Sequence, residues 1–263
     1  AAEEAIAMAG ESGTGSAVVR GCRHVGRLGG YTELCAANEC IGLATASGGN
    51  SGHWVAPFGG REGRLATNPI CFAAPMPEGS IVMDFSTSSM PEGKVRFIRD
   101  CGETLPDGIL VDASGKRTRD PWALYDPDTG EAAGAILPFG GEQGYKGYGL
   151  GFMAQLLSAS LGAPVWASED MQRNTNGMWI LAIRVDAYMD TGAFCEDVQA
   201  MARYFKSSSP SEGSSGVMLP GEIESETRAE RCKNGVPIHE NIWQSIVNVA
   251  DSLGVDVHAI ENG

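Results

Sequence analysis

The stretch Val18–Leu34, VVRGCRHVGRLGGYTEL, decides which α/β class is open to this chain. An apolar run stops, a glycine-rich turn follows, and a helical run begins at Thr32. In a doubly wound parallel sheet, that strand–turn–helix junction carries the spacing G-x-G-x-x-G. Here the glycines fall at 26, 29 and 30 and do not fit it. Neither that fingerprint nor G-x-x-x-x-G-K-[ST] can be placed after any predicted strand, and GYGLG (Gly147–Gly151) lies inside a helical run. A Rossmann fold is therefore rejected. The turn also holds one of only four histidines, His24, between Arg23 and Arg27. A histidine at a strand end among glycines can face a ligand or be an ordinary loop residue, and the local pattern leaves both open.

Working outward, Ala1–Ala9 reads as a helix stopped by Gly10 and Gly13, and GSAVVRG as a buried strand. TELCAANEC reads as helical, which sets Cys35 and Cys40 along one helix, and IGLATAS as a second strand. SIVMDFS (Ser80–Ser86) and MWILAIRVD (Met178–Asp186) are the clearest later strands. KGYGLGFMAQLLSASLG has Leu150, Met153, Leu156, Leu157 and Leu161 at the spacing of a buried helical face. KSSSPSEGSSG (Lys206–Gly216) is a polar loop, and NIWQSIVNVADSLG a final amphipathic helix. Strands and helices alternate irregularly, without the steady βα rhythm of a parallel sheet. We expect residues 1–205 to form a domain containing the main sheet, with 206–263 a loop and helical segment packing back on it. The chain opens in a helix without an initiator methionine, so residues before Ala1 are expected.

At 263 residues the chain has the length for one or two domains. A net charge of -14 excludes nucleic acid and anionic membranes as partners, because phosphate binding needs a basic face. No apolar run reaches the roughly 18 residues of a membrane span, and the acidic start is unlike a signal peptide. The seven cysteines are odd in number and scattered, which predicts reduced, structural thiols in a cytoplasmic protein.

Five segments have the character of sites. They are the His24 turn, GGREGRLATNPICFAAP with Thr67, Asn68 and Pro69, DFSTS (Asp84–Ser88), PFGGEQGYKGYGL with Lys146, and LPGEIESETRAER with Gly221 and Glu222. An acid and hydroxyls at a strand end suit ribose hydroxyls; a lysine near a helix N-terminus suits a carboxylate or phosphate. A histidine is the natural proton carrier at neutral pH. Each has a bland counterpart. Asp84 can be a cap, Lys146 a solvated charge, and Arg61, Arg64, Arg228 and Arg231 surface or ion-pair residues. His53 beside Trp54 reads as loop packing, and His239 and His258 receive no role.

Taken in order, HVGRLGGYTE, VAPFGGREGRLATNPICFAAP, DFSTS, LPFGGEQGYKGYGL and LPGEIESETRAERCKNGVPI resemble the successive blocks of the type-2 malate/L-lactate dehydrogenase family. Its relatives include ureidoglycolate dehydrogenase, sulfolactate dehydrogenase and the cyclic-imine (piperideine-2-carboxylate) reductases. The arginine-rich tail resembles most the bacterial hydroxycarboxylate dehydrogenase branch. The resemblance implies an α/β (α+β) fold: a mixed, mostly antiparallel sheet of the family's own type, flanked by helices, that binds NAD or NADP in extended form, with NAD favoured. It implies His24 as the proton-transferring residue, and Gly26, Arg27, Leu28 and Ser51 as cofactor contacts. It carries the same role to Asp84, Phe85 and Ser86, to Tyr145 and Lys146, to Asn176, and to Gly221 and Glu222. No metal is implied.

The family also has an upstream Ser-His-Gly-type helix whose His and Arg hold the substrate carboxylate, and this is expected to precede Ala1. The resulting expectation is a cytoplasmic homodimer that moves hydride between nicotinamide and C2 of a small 2-hydroxy or 2-oxo acid. The alternatives are ureidoglycolate oxidation, cyclic-imine reduction, or a non-catalytic dinucleotide-binding protein.

Overall fold

A computed structural model of the chain describes residues 1–48, 52–162 and 176–257. In chain order the elements are α1 (Ala2–Ser12), β1 (Thr14–Cys22), α2 (Gly29–Ala37), β2 (Cys40–Ser47), β3 (Ile70–Pro75), β4 (Ser80–Phe85), α3 (Glu92–Asp100), β5 (Leu110–Val111), β6 (Arg117–Thr118), β7 (Ala135–Ile136), α4 (Tyr145–Gln155), β8 (Asn176–Arg184), α5 (Thr191–Lys206), α6 (Glu222–Asn234) and α7 (Glu240–Ser252). Five strands form one sheet in the order β1-β8-β2-β3-β4, every neighbouring pair antiparallel. A second sheet, β6-β5-β7, is also antiparallel. The expected mixed α/β architecture with antiparallel pairing and flanking helices is what the chain adopts.

The central strand β8 explains the layering. Ile180 lies opposite Ala17 of β1 and Ala44 of β2, so side chains alternate in step across all three strands. Met178, Ile180 and Ala182 point to the face covered by α1 and α2, where they join Ala5, Ala9, Cys35, Ala44 and Cys71 in the main core. The opposite face carries Thr45 and Gly177, and both meet Ser158, which follows α4. Small residues set the spacing. A Cβ on Gly15 would lie 2.0 Å from the Ala5 carbonyl, so α1 approaches β1 along an alanine stripe that leaves no room for it. A second core gathers Val55, Val95, Leu105, Leu110, Leu124 and Ile136 around the smaller sheet.

Three expectations are corrected. The first helix runs through Gly10 and ends only at Gly13, whose left-handed φ of 81° lets its N–H bond to the Ala9 carbonyl at 2.8 Å. Cys35 and Cys40 do not share a helix: Glu39 turns to φ 58°, so α2 ends and Cys40 opens β2. The apolar stripe of the fourth helix faces outward, with Leu150, Met153, Leu156 and Leu161 exposed. Its buried face is small and polar: Gly147, Gly151, Ala154, Gln155 and, in the π-helical segment Leu156–Ser160 that continues it, Ser158. A Cβ on Gly147 would come 2.2 Å from the Phe139 carbonyl and one on Gly151 2.8 Å from Thr87 Oγ1. Close backbone approach, rather than side-chain size, selected the buried face.

Each of the seven cysteines is a free thiol. Burial pushes Cys35 up to about 11 and Cys71 up to about 12. Among the described residues no helix is long and apolar enough to cross a membrane, and no group of three or more His, Cys, Asp or Glu could hold a metal ion.

Gly15→Ala is expected to lower stability by about 1–3 kcal/mol or more, as overpacking against backbone does. Thermal unfolding measures it, and an unchanged midpoint would mean that α1 does not pack on β1 as described. A native thiol titration should label the exposed Cys232 first, with Cys35 and Cys71 reacting only on unfolding.

Candidate active site

The antiparallel registers bring five chain segments to one end of the large sheet. Cys22, the last residue of β1, lies opposite Asn176, the first of β8, and Ser47, the last of β2, lies opposite Gly177. Thr45 pairs with Ile70, and the Ala46 N–H donates to the Pro69 carbonyl at 3.3 Å, so the β2–β3 register carries on toward Ser47 and Asn68. Phe85, the last residue of β4, lies opposite Ile70. A cleft of about 400 Å³ opens at this end, with His24, Gly26, Ser47, Trp54, Asn68 and Asn176 among its lining residues.

His24 is exposed, and its Nδ1 accepts the Gly26 N–H at 3.0 Å. A neutral imidazole held that way carries its proton on Nε2. Gly26 makes the turn at φ 75°. The Asn176 amide donates to the Arg23 carbonyl at 3.1 Å, tying the start of β8 to the histidine turn.

The cleft floor is polar. Asn68 is fully buried at φ 36°, its Nδ2 donating to the Gly151 carbonyl and Gln155 Oε1, each at 2.9 Å. Those two bonds fix the amide and turn Oδ1 away, and Oδ1 has no partner. The Ser47 hydroxyl, on a residue 2% exposed, has none either. Buried polar atoms are normally satisfied, so two orphans lining one cleft point to a ligand. On the far wall, Arg96 of α3 reaches Glu92 at 3.7 Å, and Glu92 also accepts the Tyr125 hydroxyl at 3.0 Å.

A second, larger groove of about 900 Å³ has Arg27, the residue after Gly26, among its lining residues. It runs along the edge strand β4 at Gly79 and Val82 to Gly221 and Arg228 at the head of α6. Gly221 sits against this edge at φ 87°, where a Cβ would lie 2.8 Å from the Val82 carbonyl. Arg27 is held by both oxygens of Glu33, at 2.9 and 2.7 Å, and that hydrogen bonding raises its proton affinity.

The other sequence candidates are distributed as follows. Asp84 points to the α2 side, where Oδ2 accepts the Gly29 N–H at 2.7 Å, a cap supplied from a distant strand. Phe85 packs on Phe139 with ring centroids 5.8 Å apart, and Ser86 donates to the Ser88 carbonyl at 3.2 Å. Leu28 is buried and precedes α2. Tyr145 stacks edge-on against Phe58, and Lys146 bonds Gln143; neither lines the cleft or the groove. Glu222 pairs with Lys206 at 2.5 Å, which with the Leu219 N–H holds its carboxyl below the usual range. Ser51 lies outside the described residues. Sequence reasoning did not single out Ser47, Trp54 or Arg96; it named Asn68 with Thr67 and Pro69 in a candidate segment but gave it no role. An asparagine before a proline at the head of a strand was the one available signal.

The family model described as malate/L-lactate dehydrogenase matches residues 1–247. The L-lactate dehydrogenase of Cupriavidus necator is 37% identical over 246 residues, 91% of this chain and 68% of the relative. The L-sulfolactate dehydrogenase of Methanocaldococcus jannaschii is 33% identical over 262 residues, 98% of this chain and 72% of that one. The solved sulfolactate dehydrogenase from that organism superposes with a TM-score of 0.79 at 32% identity, covering 98% of this chain and 72% of its own. Malate dehydrogenase from Pyrococcus horikoshii gives 0.81 at 27% identity, covering 97% and 70%.

Asp84→Ala should lower the unligated protein's stability by about 0.5–2 kcal/mol, the cost of losing a helix cap. Denaturant unfolding reads this directly. An unchanged midpoint would leave the Gly29 contact without energetic weight and return Asp84 to ligand binding alone.

Proposed function

The chain belongs to the malate/L-lactate dehydrogenase family, whose relatives are named as dehydrogenases of hydroxy acids, and from that premise we propose an NAD(P)-dependent oxidoreductase acting at C2 of a small 2-hydroxy or 2-oxo acid. The observation that carries this reading is the gathering of His24, Ser47, Asn68 and Asn176 around one cleft, with a second groove lined by Arg27, next in sequence to the cleft residue Gly26. An extended dinucleotide suits two such depressions, and the unpartnered buried atoms of the cleft residues Asn68 and Ser47 favour a polar group at the sheet end. A bound nicotinamide would take hydride from substrate C2 in oxidation and return it in reduction.

The chain's own residues bind, orient and manage the proton. In the resting arrangement the His24 Nε2–H is free to hydrogen-bond the oxo oxygen of a 2-oxo acid, because Nδ1 is occupied by the Gly26 N–H. Complete transfer of a proton passes through the imidazolium, which has a hydrogen on Nδ1 and so must turn from Gly26. That contact acts as a latch on the ring. Arg96 is the cation among the cleft's lining residues and suits a substrate carboxylate. We assign residues 1–205 to cofactor binding and 206–263 to a segment that covers the β4 edge through Gly221. Glu33, Glu78 and Glu224 line the groove beside Arg27, Arg228 and Arg231, a charge balance that favours NAD over a 2′-phosphorylated cofactor. The exposed apolar side of α4 and the segment after it suits a homodimer contact. A panel of pyruvate, oxaloacetate and sulfopyruvate with NADH and NADPH, followed by nicotinamide absorbance, identifies the substrate.

His24→Asn should retain dinucleotide binding and thermal stability while losing turnover by about 10²–10⁴-fold, the range for one proton-transfer group. Turnover near the parent's would remove His24 from the mechanism.

A further inference from the structure

Glu92 and Arg96 stand one helical turn apart on α3, and both line the cleft that holds His24. Among the described residues lining that cleft, Glu92 is the one acid and Arg96 the one arginine or lysine. Their pairing is loose, at 3.7 Å, and the Arg96 side chain is 57% exposed, so its donors are open to an incoming anion. Glu92 is held more firmly. Its Oε1 accepts the Tyr125 hydroxyl at 3.0 Å. Tyr125 is buried, edge-on to Trp54 with ring centroids 5.6 Å apart and beneath the Arg99 guanidinium at 4.5 Å. Burial first, and then the Glu92 charge, push the tyrosine hydroxyl far up, so it stays a donor to that carboxylate. Arg99 is outside the cleft lining and is answered by Asp100 at 2.7 Å. This charge set has room for one anion. A carboxylate seated on Arg96 occupies a cation that Glu92 already offsets in part. A second anionic group would find no further cation among these lining residues and would meet the Glu92 carboxylate. The same holds whichever of two carboxylates takes Arg96.

Resting on the oxidoreductase reading above, we propose that Glu92 is a specificity-determining residue of this chain, a fixed negative charge that admits 2-oxo and 2-hydroxy acids with a single carboxylate and disfavours those with a second anionic group. The substrate class is thereby narrowed to monoanionic acids of the pyruvate type, whose remaining substituent is uncharged. Tyr125 is the positioning residue that keeps the charge in place. Neither residue takes part in hydride or proton transfer; both act on which acid is accepted.

The test compares oxaloacetate with 2-oxosuccinamate, its C4 amide, which has nearly the same shape and one charge fewer. Reduction of each is followed by nicotinamide absorbance. In the unaltered chain kcat/KM should be about 10-fold or more higher for the amide, the effect expected of one like-charge contact partly screened by water. Glu92→Gln keeps an oxygen for the Tyr125 hydroxyl and removes the charge, and it should lower that ratio by about 5-fold or more. Glu92→Asp, which keeps the charge, should keep most of the ratio. Added salt should narrow the ratio in the unaltered chain, because partly exposed charges are screened. A ratio that Glu92→Gln leaves unaltered, a ratio indifferent to salt, or a preference for oxaloacetate over its amide would overturn the filter and leave the oxidoreductase reading intact. Failure to oxidise NADH or NADPH with either acid and with pyruvate would overturn the 2-oxo acid reading and the filter with it. Should Glu92→Gln fail to fold, the salt dependence in the unaltered chain still decides.

Discussion

The register of β8 between β1 and β2 is the constraint on which the rest depends. A shift of one residue would turn Met178, Ile180 and Ala182 away from α1 and α2 and drive Gly177 out of its contact with Ser158, where a Cβ would lie 1.9 Å from the carbonyl. It would also part Asn176 from Cys22 and Ser47 from Gly177, so the end of the sheet would no longer assemble. One pairing thus fixes the core and the cleft together. Antiparallel neighbours make this possible, because strand ends and strand starts then alternate along a single edge of the sheet.

The second face shows how the cleft floor is held. Polar groups do that work: Thr45 with Ser158 at 2.6 Å, Asn68 with Gly151 and Gln155, and Thr87 with Asn68. Small residues on α4 and the π-helical segment after it let the helix come close enough for these bonds, while the larger apolar side chains are left outside. Networks of this kind rigidify when every member is satisfied. Here Asn68 Oδ1 and Ser47 Oγ, on two residues that line the cleft, are left without a partner.

Much of the fold was legible in local pattern. The runs GSAVVRG and IGLATAS lie within strands of the large sheet, SIVMDFS and MWILAIRVD overrun theirs by one and two residues, and Gly221 with Glu222 opens a charged helix. What failed had a physical cause in tertiary structure. Periodicity ranked Leu150, Met153 and Leu161 as the buried face because it weighs side-chain size, whereas the helix is docked by Gly147 and Gly151. The strand β3 was hidden in a block valued for its arginines. In the site, His24 stood in a quoted block and Asn176 was implied by the family resemblance, and both residues line the cleft. Ser47 and Arg96 were not, because only the register and the placement of α3 bring them there. Asp84 carries a lesson of another kind: the capping reading and the ligand reading were both open, and its contact with Gly29 is one that no local window around either residue contains.

The central claim is that the dinucleotide lies at one end of the large sheet and in the groove lined by Arg27 and Gly221. Hydrogen–deuterium exchange of the chain with and without saturating NADH tests it most directly. The account predicts slowed exchange in the peptides holding residues 22–29, 44–48, 66–69 and 221–228. It also predicts little change in those holding 13–16 and 182–186 at the opposite end of the sheet. Protection confined to that opposite end, or none in the histidine turn, would contradict it.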